Sequence, residues 1–240
     1  MALANTPHAI LPLGDTAVFI EFSEVLDLAV NEAAQSLAAK IRAQAVSWIV
    51  DIVPALGGVA LHFDVEHRDL PDSPLEATQA LVSACLGMSE DANQAPGRRI
   101  DIPICYEAEF GLDLVDIAAQ VGLTVEEVIQ RHGAVEYPVL MMGFVPGGPY
   151  MGGLHPAINL PRRTSPRTKV IQGSVALANL QVVIYPFTTP GGWHIVGRTP
   201  SLLFDADRTP ASLLSPRDRV RFVRISADEF HRLEAEQTKR

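Results

Sequence analysis

The chain has 240 residues, 48% of them hydrophobic, and a formal net charge of −9 at pH 7. Its size and composition suit a globular protein of one or two domains, and its acidity argues against a general nucleic-acid binder, because phosphate contacts favour basic proteins. No run approaches the roughly 18 apolar residues that cross a bilayer. The N-terminus lacks the pattern of a signal peptide, so we expect a cytoplasmic protein that binds no membrane.

The first third of the chain alternates between strand and helix patterns. Strands are predicted over 13–22, 46–53, 58–63 and 99–106, and helices over 26–42 and 73–88. This order is the split βαβ pattern. We therefore predict an α+β, ferredoxin-like N-terminal domain over residues 1–95.

A polar, aperiodic stretch over 89–98 is the best candidate for a linker. Beyond it, Asp113 is the predicted cap of a helix that ends at Gly122, and Thr124 with Glu127 forms a capping box for a second helix. Short strands separated by Gly/Pro turns are predicted over 137–142, 168–177, 181–185, 193–197, 201–204 and 219–225. Such a series predicts a closed or nearly closed barrel over residues 96–240.

Standard catalytic spacings are mostly absent from the sequence. The two cysteines form no CxxC pair and the seven histidines are scattered, so we expect no metal site. A phosphate cradle of the P-loop type is not supported, because no lysine follows the glycines of 147–153.

The segment from Gly143 to Pro200 concentrates glycine, proline and arginine, and it is where we expect a site. Its PRRTSPR run carries Arg162, Arg163 and Arg167, whose guanidinium groups suit carboxylate or phosphate. The alternative is a solvated loop with surface ion pairs. We expect this loop and the GGPYMGG loop to form one binding surface. On the assumption that Arg163 is exposed, its replacement by alanine should barely change stability.

Other residues of interest stand outside the arginine cluster. Trp193 follows paired glycines and is either a core residue or a ligand platform. His155 lies in the glycine-rich loop. It either takes part in binding or catalysis or has a purely structural role. Glu136 precedes the first barrel strand, and a lone carboxylate needs a positioned partner for acid–base work.

Several motifs together resemble a known family: GLTVEEVIQRHGAVEYPVLMMGF, GFxPGxPYxGGL, PRRxxPRxxV, QxxxYPxxTPGGW and GRTPxxLFD. They are similar to the small subunit of the bacterial 5-oxoprolinase complex, also called allophanate hydrolase subunit 1, a family that includes the kinase inhibitor KipI. The resemblance covers roughly 111–223. It implies a cyclophilin-like β-barrel as the C-terminal domain, after a ferredoxin-like N-terminal one.

The resemblance also implies a set of substrate- or partner-binding candidates, without assigning catalytic roles. They are Glu136, Pro146, Gly147, Tyr150, Arg162, Arg163, Arg167, Gln181, Tyr185, Gly191, Gly192, Trp193 and Arg198, and we add His155 to them from its place in the glycine-rich loop. The chain departs from the family pattern at Gly148, where an aromatic residue is usual, and at 178–180 and 182–183.

The resemblance implies that the chain is a subunit of an ATP-dependent hydrolase that acts on a small cyclic amide. The activity of such a subunit is best measured with its partner subunits present. Those partners are a large subunit of the allophanate hydrolase subunit 2 or KipA type and a LamB/YcsF-type subunit. Two alternatives remain open: a KipI-like inhibitor of a histidine kinase, and a carboxyltransferase-like component related to urea carboxylase. We expect little activity from the chain alone.

Overall fold

The computed structural model describes residues 6–88 and 97–237, and the chain divides into two units, Met1–Pro96 and Gly97–Arg240. Most of the predicted linker, residues 89–96, lies outside the described residues. Across the described residues, no helix combines the length and apolar character that a membrane span requires.

The first unit is a four-stranded antiparallel sheet with two helices. Its elements are β1 (Ala9–Pro12), β2 (Ala17–Glu21), α1 (Leu28–Ala43), β3 (Ile49–Pro54), β4 (Gly58–Phe63) and α2 (Pro74–Gly87). The strand order is β1-β2-β4-β3. Apolar side chains of α1, such as Leu37 and Ile41, pack with Leu61 of β4 in one buried cluster, as the helical spacing predicts.

The ferredoxin-like prediction for this unit is not confirmed, because its expected last strand lies elsewhere. The strand predicted over 99–106 is found at Arg99–Ile104, but it pairs in the second unit, parallel to Arg219–Arg224. In the first unit the short strand β1 pairs with β2 instead. The single strand predicted over 13–22 is therefore wrong in extent, and Gly14 with φ +65° lies between β1 and β2.

The second unit combines strands with helices at both ends of its sequence. In order, its elements are β5 (Arg99–Ile104), α3 (Leu114–Val121), α4 (Val125–Gly133), β6 (Glu136–Met142), β7 (Pro149–Met151), a 3-10 turn (Pro156–Ile158), β8 (Arg167–Val170), β9 (Ser174–Ala178), β10 (Gln181–Ile184), β11 (Thr189–Gly191), β12 (His194–Arg198), β13 (Arg219–Arg224) and α5 (Ala227–Gln237).

Seven of these strands form one curled sheet in the order β12-β9-β10-β7-β6-β13-β5. Its two edge strands meet where the chain leaves β5: Cys105 and Arg198 exchange backbone hydrogen bonds of 2.9 and 3.0 Å. The inside is filled by apolar side chains including Val139, Leu177 and Val196, all fully buried. β8 and β11 form a separate antiparallel pair.

Two strand predictions in this unit need correction, and two short strands were missed. The strand predicted over 168–177 is two strands, β8 and β9, in different sheets, because the chain turns at Gly173 with φ +82°. No strand covers 201–204; only Phe204 forms an isolated bridge, to Ser212. The three-residue strands β7 and β11 were not predicted, since so short a run gives little periodic signal.

The local helix signals are confirmed in part. Gly122 ends α3 in the left-handed conformation, and Thr124 and Glu127 form the predicted capping box. Asp113 stands at the N-cap position of α3, but its side chain makes no capping hydrogen bond. Its carboxylate has other partners, which lie in the site described below.

His132, at the end of α4, is a fully buried side chain in the second unit. Its Nδ1 lies 2.8 Å from the Tyr106 hydroxyl, and its ring packs 4.7 Å from that of Phe222. Burial lowers the pKa of His132 from 6.5 to about 3. The folded protein therefore holds this imidazole neutral at pH values where the unfolded chain binds a proton.

We predict that this burial makes the second unit less stable as the pH falls below the unfolded-state pKa. Between pH 7 and pH 5.5 the buried imidazole should remove about 1 kcal/mol from the free energy of unfolding. Denaturant unfolding of the wild type and of His132→Gln at both pH values measures this contribution. Equal pH dependence in the two proteins would contradict it.

Candidate functional site

The GGPYMGG and PRRTSPR loops lie on one side of the second unit and line a common cavity of about 280 Å³. The first loop brings Gly148, Pro149 and Tyr150, and the second brings Arg162 and Arg163. The prediction that these two loops share a surface is thus confirmed, and the binding of a ligand there stays a prediction. A cavity of this size suits a small ligand.

The cavity has aromatic walls, contributed by strand β7, by the residue that follows β10 and by the turn before β12. Tyr150 and Trp193 meet edge to face with ring centroids 6.0 Å apart, and Tyr185 lies beside them. Burial raises the pKa of the Tyr150 and Tyr185 phenols, and the nearby positive charge of Arg162 lowers both by less. Both phenols therefore carry their protons near neutral pH and are hydrogen-bond donors.

A glycine in the wall holds the Tyr185 ring close to the backbone. A Cβ on Gly191 would lie 2.3 Å from the Tyr185 hydroxyl oxygen, so no larger residue fits there without moving the ring. Gly148 is similarly confined, because a Cβ there would lie 2.6 Å from the Gly143 carbonyl oxygen. An aromatic residue at position 148 would therefore require a different path of this loop.

Beneath the arginine loop, Asp113 is a buried carboxylate with a side-chain exposure of 1%. Arg167 donates to both of its oxygens, at 2.9 and 2.7 Å. Arg163 donates at 3.0 Å, and the backbone N–H of Ile195 donates at 2.7 Å. We call these four residues the Asp113 cluster. It joins the start of α3, the PRRTSPR loop and β12, and charge-assisted bonds of this kind are among the strongest in proteins.

The Asp113 cluster corrects the expectation that Arg163 is a freely exposed charge. The Arg163 side chain is 28% exposed and paired with a buried carboxylate. Replacing it would leave part of the Asp113 charge without a partner, so stability as well as binding should fall. The assumption of an exposed Arg163 is therefore wrong, and we now expect Arg163→Ala to lower the free energy of unfolding.

Arg162 differs from its two neighbours. Within residues 6–88 and 97–237, its guanidinium has no hydrogen bond or ion pair. The guanidinium carbon lies 5.5 Å from the centre of the Trp193 ring, an arrangement that favours a cation–π interaction. Arg162 thus places an uncompensated positive charge at the aromatic wall of the cavity.

Half of the candidate residues from the sequence line the cavity: Tyr150, Arg162, Arg163, Tyr185, Gly191, Gly192 and Trp193. The next four candidates have structural contacts outside its lining. Glu136 forms an ion pair with Arg99, and Arg167 belongs to the Asp113 cluster. The ring of His155 accepts a hydrogen bond from the N–H of Ala157, and Arg198 pairs with Glu234.

The remaining three candidates are close in sequence to residues that line the cavity, but they do not line it themselves. Pro146 is exposed, and Gly147 is buried in the same loop with φ +76°. Gln181 is buried at the start of β10, and its Nε2 has no partner within the described residues. Among those residues there is also no cluster of histidine, cysteine or carboxylate side chains suited to a metal ion.

Asp113 is the residue that the sequence reasoning missed. Its position before α3 is accounted for by a helix cap, so nothing in the local sequence indicates its contacts with Arg163 and Arg167, which lie 50 and 54 residues further along the chain. The available signal was the pair of arginines in a proline-stiffened loop, since two guanidinium groups held partly out of water favour an acidic partner.

Comparison with known proteins assigns the chain to a family. The family described as "Carboxyltransferase domain, subdomain C and D" matches residues 8–214. The chain is 38% identical over 229 residues to the 5-oxoprolinase B subunit of Bacillus subtilis (strain 168), covering 93% of this chain and 95% of that protein.

Solved structures are similar as well. The crystal structure of TTHA0988 has a TM-score of 0.74 and 32% identity, and the match covers 88% of this chain but 40% of the TTHA0988 chain. Urea carboxylase of Kluyveromyces lactis shares the fold, with a TM-score of 0.73 and 20% identity over 97% of this chain and 24% of that one. From its near full-length match to the Bacillus subtilis protein and from the carboxyltransferase subdomains that it carries, the chain belongs to the family of 5-oxoprolinase B subunits.

Proposed function

We propose that this chain is the small subunit of a 5-oxoprolinase-type complex that hydrolyses a small cyclic amide, with 5-oxoproline as the reference substrate. The observation that carries the proposal is the cavity of about 280 Å³ with aromatic walls and an unpaired guanidinium. It suits a small, flat, anionic molecule, and the Bacillus subtilis relative, named as a part of 5-oxoprolinase, matches this chain over nearly its full length.

The cavity is equipped for binding rather than for a complete reaction. Among the described residues, those that line it include no carboxylate, imidazole or thiol, and its hydroxyls are the two tyrosine phenols, which stay protonated near neutral pH. Hydrolysis of an amide requires a nucleophile activated by a base. We therefore place those groups on partner subunits, a large allophanate hydrolase subunit 2 or KipA-type chain and a LamB/YcsF-type chain.

ATP, implied for the whole complex, does not fit the residues of this cavity. A triphosphate needs several cations or a cradle of backbone N–H groups, whereas two of the three arginines of the loop are already bound to Asp113. We propose that the nucleotide binds on another chain of the complex.

The test is to co-express the chain with the two partner chains and to measure glutamate released from 5-oxoproline, with and without ATP. We expect ATP-dependent turnover only from the assembled complex. Turnover by the purified single chain would contradict its role as an incomplete part of the enzyme. An assembled complex that leaves 5-oxoproline intact would contradict the substrate.

A second candidate is a carboxyltransferase component, favoured by the family description and by the shared fold of urea carboxylase. It predicts transfer of a carboxyl group from carboxylated biotin in the presence of a biotin carboxylase partner. Labelled bicarbonate distinguishes the two reactions, because hydrolysis of 5-oxoproline incorporates none of the label.

The curled sheet, joined at Cys105 and Arg198, also supports the cyclophilin-like assignment of the second unit, which we retain as a proposal.

A further inference from the structure

We propose that Arg162 binds the carboxylate of the substrate and thereby selects monoanionic cyclic amides over neutral ones. This inference rests on the proposed function and assigns one residue to substrate recognition. Three arginines of the PRRTSPR loop are candidates for that task, and their contacts separate them.

Two of the three arginines already bind the carboxylate of Asp113. Arg167 uses both terminal nitrogens on Asp113, and Arg163 uses one terminal nitrogen on the same carboxylate. Moving either one to a ligand would leave the buried Asp113 charge without part of its compensation. Arg162 makes no such ion pair within the described residues, and its exposed side chain is accessible from the cavity.

The backbone on both sides of Arg162 is fixed. The Pro161 carbonyl accepts a hydrogen bond of 2.9 Å from Nε2 of His194, and the Arg163 N–H donates to the Gly192 carbonyl at 2.8 Å. Since a carbonyl only accepts, Nε2 of His194 carries the proton. The guanidinium lies over the Trp193 ring, and this contact restricts the side chain before a ligand binds, which reduces the entropic cost of binding.

The charge of the cavity points to one carboxylate. No acidic residue stands among the described residues of the lining to compete for Arg162. A guanidinium matches the planar, two-oxygen geometry of a carboxylate and compensates one negative charge. The Trp193 and Tyr150 rings provide apolar surface for the flat ring of a lactam, and the protonated Tyr150 phenol is a donor for its carbonyl.

The experiment compares two probes that differ by the carboxylate alone: 5-oxoproline and 2-pyrrolidinone, the same lactam without it. Binding to the full chain is followed by calorimetry and, in a Trp48→Phe background that removes the chain's other tryptophan, by Trp193 fluorescence. KM is measured for the assembled complex. The variants are Arg162→Ala and Arg162→Lys, with Lys169→Ala as the matched control, since Lys169 is an exposed cation of the adjoining strand outside the cavity lining.

We expect Arg162→Ala to weaken 5-oxoproline binding by about 10- to 100-fold, the usual value of a charge-assisted bond, and to leave 2-pyrrolidinone binding unchanged. Arg162→Lys should recover part of the loss, because an ammonium keeps the charge without the fork geometry. Lys169→Ala should bind as the wild type does. The melting temperature of Arg162→Ala should be unchanged.

Three results would overturn the inference. They are undiminished 5-oxoproline binding in Arg162→Ala, an equal loss of both probes, and a wild-type chain and complex that bind no small monocarboxylate. Failure of the proposed function looks different. In that case the complex does not hydrolyse 5-oxoproline, while another cyclic monocarboxylate binds in an Arg162-dependent way.

Discussion

Replacing Asp113 with alanine should lower the free energy of unfolding of the second unit by about 3–5 kcal/mol, the usual cost of removing one partner from a buried ion pair. The change leaves Arg163 and Arg167, whose side chains are 28% and 25% exposed, without their carboxylate. It also removes the acceptor of the Ile195 N–H, which is buried in β12. Denaturant unfolding followed by Trp193 fluorescence, in a Trp48→Phe background, measures the effect in this unit.

Two controls separate the charge from the helix position. Asp116→Ala removes an exposed carboxylate from the first turn of the same helix and should change stability by no more than about 0.5 kcal/mol. Adding Arg163→Ala and Arg167→Ala to Asp113→Ala should restore part of the loss, because the uncompensated cations disappear. If the triple variant is no more stable than Asp113→Ala, the carboxylate does not act through these two arginines.

Gly173→Ala should destabilise the second unit by about 3 kcal/mol, the sum of a left-handed backbone and a steric clash. Gly173 has φ +82°, and a Cβ there would lie 2.3 Å from the Thr199 carbonyl oxygen. Its own backbone bonds to Tyr185 and Thr199, so the turn cannot move without disturbing the ends of β10 and β12.

The matched control is Gly133→Ala at the end of α4, where a Cβ would meet nothing within 4 Å and φ is not positive. There alanine should be neutral or stabilising by about 0.4–1 kcal/mol, because it reduces the freedom of the unfolded chain. The measurement is again the free energy of unfolding. Equal effects at the two glycines would show that the turn at Gly173 tolerates a side chain.

The sequence by itself determined the features that depend on neighbouring residues. The Thr124–Glu127 capping box and the left-handed Gly122 are local hydrogen-bond and backbone requirements, and both occur where predicted. The apolar periodicity of α1 likewise depends only on spacing along one helix. The glycine- and arginine-rich loops were recognisable as a candidate site because their composition is unusual and their motifs resemble those of a family.

Tertiary structure alone decided which partners distant residues meet. The sequence of β5 suits a strand in either sheet. Its pairing with β13, in which Arg99 lies opposite Arg219, 120 residues further along the chain, places it in the second unit. The three arginines are chemically alike in the sequence. Asp113 binds two of them, while Arg162 lies over Trp193, because each side chain's environment depends on contacts across the fold rather than on its neighbours in the chain.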